Sequence, residues 1–110
     1  MAAHRYWRIQ IRLINGGSTC GIGELQMRTS IGGANVATGG TATASTTQVN
    51  YLAPKAFDGL TTDTGTGNGW AGIASNFAGS GSDGLGSWPW LKYDFGSGND
   101  KDIQEIVLYC

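Results

Sequence analysis

Apolar and polar residues alternate in the N-terminal part of the chain, over residues 5–14, which read RYWRIQIRLI. A period of two is typical of a β-strand with one buried face. The turn-forming residues 15–18, NGGS, end the pattern. The inward set would be Trp7, Ile9, Ile11 and Leu13, and the outward set would be Tyr6, Arg8, Gln10 and Arg12.

Four later segments also predict strands, although the alternation in the first of them is imperfect. They are 22–28 (IGELQMR), a Thr-rich stretch around Ala42–Thr47, 88–95 (WPWLKYDF) and 103–109 (IQEIVLY). In the first, the apolar residues are Ile22, Leu25 and Met27. In the third, Trp90, Lys92 and Asp94 alternate with Leu91, Tyr93 and Phe95.

The connections between these segments are of two kinds. Residues 52–58, LAPKAFD, predict a short helical turn that packs Leu52, Ala56 and Phe57 inward and ends at Asp58-Gly59. Residues 60–87 are rich in Gly, Ser, Thr and Asn and are too long for a simple connection. We expect this stretch to be functional or partly packed.

Composition narrows the fold class. The chain has 110 residues, which is enough for one domain, and 19 of them are glycine. A charged fraction of 14% disfavours a helical bundle, while a hydrophobic fraction of 40% disfavours disorder. Short strands joined by Gly-rich turns are the simplest interpretation, so the sequence predicts an all-β fold.

The net charge of −1 gives no global field that would attract nucleic acid or anionic lipid. No run is long enough to insert in a membrane, and the N-terminus lacks a signal-peptide pattern, so we expect synthesis in a cytoplasm. Basic residues nevertheless concentrate in the first quarter. They either dock an acidic or phosphate-bearing partner or keep a sheet edge soluble. They are Arg5, Arg8, Arg12 and Arg28.

Catalytic chemistry has little support in the sequence. His4 is the single histidine, so a Ser-His-Asp triad or a histidine metal centre is not expected. Glu24 and Glu105 could each form a glycosidase pair with an aspartate, but both lie in strand patterns and are better interpreted as solvent-facing strand residues. Cys20 and Cys110 are expected to be reduced. The sequence predicts a protein that is not an enzyme.

Three segments resemble the discoidin family, also known as the coagulation factor 5/8 type C domain. They are TATASTTQVNYLAPKAFDG at 41–59, the continuation from Thr61 to Trp70, and WLKYDFGSG at 90–98 followed by IVLY at 106–109. The resemblance implies a jelly-roll β-sandwich of the galactose-binding-like type spanning 1–110 as one domain, without the family's last strands. The leading RYWRI and GELQMR segments are similar to versions of the domain in bacteriophage virion proteins.

The resemblance also implies a structural calcium ion beside the turn after residue 57, since family members often bind one there. Asp58 and Asp63 would be side-chain ligands, together with the nearby hydroxyl of Thr64. The alternative for Asp58 is a turn-capping role in which its carboxylate accepts backbone N–H groups.

A sugar site would need an exposed aromatic ring beside polar groups. Trp88, Tyr51 and Asn76 lie in predicted loops and are the candidate ligand-binding residues, although Trp88 could equally be a lid over the core. Trp7, Trp70 and Trp90 are expected to pack in the core.

Two functions follow as hypotheses. The first is a non-enzymatic bacteriophage virion module, in the tail, fibre or capsid surface, that recognises host-surface glycan. The second is a purely structural module that decorates or joins other virion proteins without binding sugar. The apolar strand near residue 109 leads us to expect either a longer protein or a strand paired with another chain.

Overall fold

The computed structural model describes residues 2–11, 19–61, 69–73 and 89–109. These residues form an all-β protein, as the composition predicts. The elements in the described ranges are β1 (Tyr6–Gln10), β2 (Thr19–Ile22), β3 (Glu24–Arg28), β4 (Thr41–Ala44), a 3₁₀ helix (Ala53–Phe57), β5 (Trp70–Ile73), β6 (Trp90–Asp94) and β7 (Glu105–Tyr109). Within those ranges no helix has the length and apolar character needed to cross a membrane.

The strands pair in three small antiparallel sheets. One sheet has the order β1-β6-β4, with Arg8 opposite Lys92 and Thr43 opposite Lys92 on the other side. The second pairs β2 with β5, and the third pairs β3 with β7. The central position of β6 fixes the register of the first sheet, because both of its edges carry hydrogen-bonded neighbours.

The core lies between the inward faces of these sheets. One cluster joins Leu91 of β6 to Leu25, Trp70 and the alanines of the 3₁₀ helix. A second cluster joins Tyr93 and Phe95 to Met27 and Ile103. Ala42 and Phe57 contact both clusters, so the two form one continuous apolar interior. Trp70 is 1% exposed and its indole N–H donates to the Thr46 carbonyl, which pairs the polar atom of a buried ring.

The structure confirms the alternation of inward and outward residues predicted for the segments that form β1 and β6. In β1, Trp7 and Ile9 are half-buried whereas Tyr6 and Arg8 are exposed. In β6, Leu91 and Tyr93 are buried whereas Trp90 and Lys92 are half-buried.

Other sequence predictions need correction. The expected strand at 22–28 is part of two strands, because the chain bends at Gly23 between β2 and β3. Leu52 precedes the 3₁₀ helix in extended backbone and is 51% exposed, so it does not pack inward. β4 ends at Ala44 rather than near Thr47, and the Gly-rich stretch expected to be functional or partly packed contains the strand β5, which was not predicted.

One side of the core is open. Ile106 and Leu108 pair with Met27 and Leu25 on the core-facing side of their sheet, yet they are 48% and 45% exposed. Within the described residues, β7 pairs only with β3. A narrow apolar slot lies here, between β1 and the β3–β7 sheet, and Ile106 lines it with Trp7 and Ile9.

Candidate functional site

The outer face of the β1-β6-β4 sheet combines aromatic, cationic and hydroxyl side chains, and we call it the aromatic–cationic face. Because side chains alternate along a strand, the packing of Leu91 and Tyr93 in the core directs their neighbours to the opposite side. This face comprises Tyr6, Arg8 and Gln10 from β1, Trp90, Lys92 and Asp94 from β6, and Thr41 and Thr43 from β4.

The cations of this face lie against its rings. The ammonium of Lys92 lies 5.4 Å from the ring centroid of Tyr6 and 5.8 Å from that of Trp90. The guanidinium of Arg8 lies 5.7 Å from the Trp90 centroid. Distances below about 6 Å are within the range of attractive cation–π contacts. The rings therefore hold both cations near the middle of the sheet.

Arg8 and Lys92 are directly opposite each other on neighbouring strands. Side chains in that relation have Cβ atoms roughly 5 Å apart, and like charges there destabilise the pairing. Neither cation has an ion-pair partner among the described residues, where the acids that form ion pairs are Asp94 and Glu105. The centre of the face therefore carries two positive charges that no ion pair with a described residue neutralises.

Asp94 forms its ion pair with another cation, Arg5. Arg5 donates to both carboxylate oxygens of Asp94, at 2.7 and 3.0 Å. These bonds, together with the N–H of Gly96, lower the pKa of Asp94, and the same pairing raises the pKa of Arg5. With Arg8 and Lys92 against the carboxylate of Asp94, the face has a formal charge of +1, which becomes +2 when the adjoining Arg5 is counted, whereas the whole chain has −1.

The expected basic cluster is thus divided by the fold. Arg28 is neutralised by Glu105 directly across β3 and β7, with a distance of 2.9 Å between Nη1 and Oε1. The N–H of Gly32 and this guanidinium lower the pKa of Glu105. Arg12 lies outside the described residues.

Of the predicted ligand-binding residues, the structure describes Tyr51, which is half-buried. Its N–H donates to the carbonyl of Gln48, and its carbonyl accepts the N–H of Ala71, so its backbone ties a turn to β5. Trp88 and Asn76 lie outside the described residues. Their grouping with Tyr51 stays a prediction.

Glu24 contradicts its expected solvent-facing position. Its side chain is 0% exposed, because the chain after the 3₁₀ helix packs over the start of β3. Oε1 accepts the N–H of Gly59 at 3.0 Å, while Oε2 is buried without a hydrogen-bond partner. Burial raises the pKa of Glu24 to about 7, and the neighbouring charge of Asp58 acts in the same direction.

Glu24 and Glu105 lie too far apart to form a glycosidase pair with each other, and the pairing of either one with an aspartate stays a hypothesis. Glu24 is opposite Tyr109 and Glu105 is opposite Arg28, at the two ends of the β3–β7 ladder. Four residues of strand separate them, which is about 13 Å at the usual rise. That exceeds the carboxylate spacing of either glycosidase geometry, roughly 5–9.5 Å.

Asp58 shows the turn-capping arrangement. Its Oδ1 accepts the N–H of Leu60 at 3.0 Å. Asp63 and Thr64, the other predicted calcium ligands, lie outside the described residues. No group of three or more His, Cys, Asp and Glu side chains suited to a metal occurs within residues 2–11, 19–61, 69–73 and 89–109.

The alternation predicted the outward position of Tyr6 and Arg8 in β1, but it left open which face of β6 is outward and did not bring the two strands together. Trp90 was expected in the core, whereas it lies half-buried on the outer face between Arg8 and Lys92. The signal was present, because both strands show outward aromatic and basic residues two positions apart. Pairing β1 with β6, which are 80 residues apart in sequence, was needed to see the cluster.

Comparison with known proteins leaves the family open: no protein-family model matches the chain, and neither does any curated protein or solved structure. The discoidin resemblance therefore stays a prediction from the motifs.

Proposed function

We propose that this protein is a non-enzymatic carbohydrate-binding module of a bacteriophage virion, built on a jelly-roll sandwich of the galactose-binding-like type. The motif resemblance supports the family and the virion setting. The binding location that we propose differs from the one predicted from the sequence. It is the aromatic–cationic face rather than the loop group of Trp88, Tyr51 and Asn76.

One observation carries this proposal, namely two aromatic side chains on the outer face of one sheet. Tyr6 is 52% exposed, and the half-buried Trp90 lies on the same face. Sugars bind proteins by placing their apolar C–H face on such rings while hydroxyl groups bond to neighbouring polar groups. Gln10, Thr41 and Thr43 supply amide and hydroxyl groups beside the rings.

A sheet is a favourable support for such a site. The backbone of Trp90 is held from the β4 side, because its N–H donates to the hydroxyl of Ser45 at 2.9 Å and its carbonyl accepts the N–H of Ser45 at 3.0 Å. A side chain fixed in this way loses little conformational freedom when a ligand binds, so more of the contact energy appears as affinity.

The test is a glycan array probed with the whole protein and with Trp90→Leu. We expect binding by the wild type and a strong loss in the variant. Trp88→Leu serves as the matched control, because it changes a tryptophan in the loop group instead. Loss in Trp88→Leu alone would move the site to the loops, and an array without any binding would refute carbohydrate recognition.

A structural calcium ion belongs to the same proposal. The buried, unpartnered Oε2 of Glu24 fits a cation, because a metal would satisfy a carboxylate oxygen that has no donor. Glu24 and Asp58 would hold the ion, which would supply structural stability and no chemistry. Added Ca²⁺ should raise the melting temperature of the wild type and not that of Glu24→Gln. An equal response in both would remove Glu24 from the site.

The second candidate is a structural module that joins copies of this chain in the virion, and the exposure of Ile106 and Leu108 favours it. If two β7 strands paired antiparallel around Val107, Ile106 of each would face Leu108 of the other, and each Glu105 would face Tyr109 instead of its counterpart. Sedimentation velocity should then show a dimer that Leu108→Lys dissociates. A wild type that stays monomeric at high concentration would rule this arrangement out.

A further inference from the structure

We propose that the aromatic–cationic face binds acidic glycans, with a carboxylate or phosphate group of the saccharide held between Arg8 and Lys92. This inference rests on the proposed carbohydrate-binding function and names the chemical class of its ligand.

The two cations of the aromatic–cationic face hold opposite positions on neighbouring strands. Arg8 and Lys92 face each other in register at the centre of the sheet. Such a like-charge pair costs stability in a ladder, where opposite charges would contribute to it. An anion placed between the two groups would turn this repulsion into two attractions. The pair is therefore more favourable in a bound state than in the free protein.

Among the residues that the structure describes, no acidic side chain is placed between Arg8 and Lys92 to neutralise them. Asp94 is the acid of this face, and it accepts two bonds from Arg5. Lys92 contributes only a minor electrostatic lowering of the pKa of Asp94, after Arg5 and Gly96. Within the described residues, no other carboxylate forms an ion pair with either cation. The anion must be supplied from outside the described part of the fold.

The aromatic rings of this face hold the two cations in place before a ligand binds. Lys92 contacts both Tyr6 and Trp90, and Arg8 contacts Trp90. These contacts restrict two long side chains that would otherwise be mobile, so an arriving anion meets them already placed. Arg8 can form two parallel bonds with a carboxylate or phosphate, and Lys92 adds a point charge.

The combination selects a sugar that carries an acid. The rings offer a surface for the C–H face of a pyranose, and the cations offer a site for its charged substituent, while Thr43 lies beside Lys92 to bond a hydroxyl. A neutral glycan would leave both cations without partners. A duplex nucleic acid keeps its bases stacked inside, so it would use the cations without the rings.

The experiment measures binding of the whole protein to polygalacturonate, to a phosphate-bearing mannan and to neutral dextran of similar length, by biolayer interferometry at 20 and 300 mM salt. We expect binding to the two acidic polymers, which distinguish carboxylate from phosphate as the preferred group. Affinity should fall as salt rises, since exposed charges are screened. Arg8→Gln and Lys92→Gln should each weaken binding about tenfold, as expected for loss of one charge-assisted contact. Lys55→Gln is the matched control, because it removes an exposed lysine from the 3₁₀ helix and should leave affinity unchanged.

Each of the remaining outcomes would refute a definite part of the proposal. Equal, salt-independent binding to dextran would refute the acidic class and leave carbohydrate recognition standing. No binding to any polysaccharide would refute both. Equal affinity for a DNA duplex of matched charge would overturn the assignment to glycans by showing a general polyanion surface.

A stability measurement separates a binding role from a purely structural one. If Arg8 and Lys92 only brace the sheet through their ring contacts, the double variant Arg8→Gln/Lys92→Gln should melt well below the wild type in plain buffer. If they are a binding pair, the double variant should melt at or above the wild-type temperature, and polygalacturonate should raise the melting temperature of the wild type alone.

Discussion

A pair of matched leucine truncations tests whether the three sheets enclose one core that is open at β7. Leu91 and Leu108 both point to the core-facing side of their strands, but Leu91 is 1% exposed and Leu108 is 45% exposed. Leu91→Ala and Leu108→Ala therefore make the same chemical change in two different environments.

The structure sets the sizes of the two effects. Removing three carbons from a fully buried leucine forfeits about 2.4 kcal/mol of transfer free energy. The buried residues clustered with Leu91 come from β2, β3, β5 and the 3₁₀ helix, so its surroundings cannot easily collapse into the space. The total for Leu91→Ala should be about 3–5 kcal/mol. Leu108→Ala removes a side chain that is already nearly half in water and leaves no closed cavity, so about 1 kcal/mol is expected.

Urea unfolding followed by tryptophan fluorescence measures both differences in the free energy of unfolding. A loss of about 4 kcal/mol is a large part of the stability of a domain this size, so the effect of Leu91→Ala is read from the shift of the urea midpoint. Equal losses of unfolding free energy in the two variants would refute the conclusion that the core is open at β7. A cost for Leu108→Ala that grows with protein concentration would show that a second copy covers β7.

Three further changes test local details. With EDTA present, the free energy of unfolding of the wild type should fall as pH rises from 4.5 to 7, because the raised pKa of Glu24 makes the folded state bind a proton that the unfolded state releases. Urea titrations at several pH values measure this slope, which should vanish in Glu24→Gln. Gly40→Ala should cost about 1–3 kcal/mol in thermal unfolding, because its new Cβ would collide with the Asp94 carbonyl oxygen and the Tyr93 ring. Tyr93→Phe removes the hydroxyl that accepts the Gly40 N–H at 2.7 Å and should cost about 1 kcal/mol by the same measurement.

The period-two pattern predicted strand faces well wherever one face was apolar. It set Trp7 and Ile9 on the inward face of β1 and grouped Leu91 with Tyr93 on one face of β6, and the structure confirms both groupings. It failed at Glu24, since alternation describes one strand and its sheet but not a turn that packs on the opposite side. The burial of Glu24 depends on Gly59, 35 residues away, and no local pattern contains that contact.

β5 was missed for a related reason. Its sequence, WAGI, lies within a stretch rich in glycine and small polar residues, where strand propensity is low. The strand forms because Trp70 fills the interior and because β2 supplies the hydrogen-bond ladder. Tertiary packing determines whether this strand forms, so composition could not predict it.

The candidate site is coupled to the core through the alternation of β6. Leu91 and Tyr93 fix which residues of this strand face inward, and that choice places Trp90 and Lys92 on the outer face. A shift of one residue in register would exchange the two sets, which the neighbours β1 and β4 prevent from both edges. Substitutions on the outer face can therefore alter binding while leaving the fold intact. Loosening the inward side of β6 should weaken binding even where no altered residue touches the ligand, because the separation of Arg8 and Lys92 depends on that register.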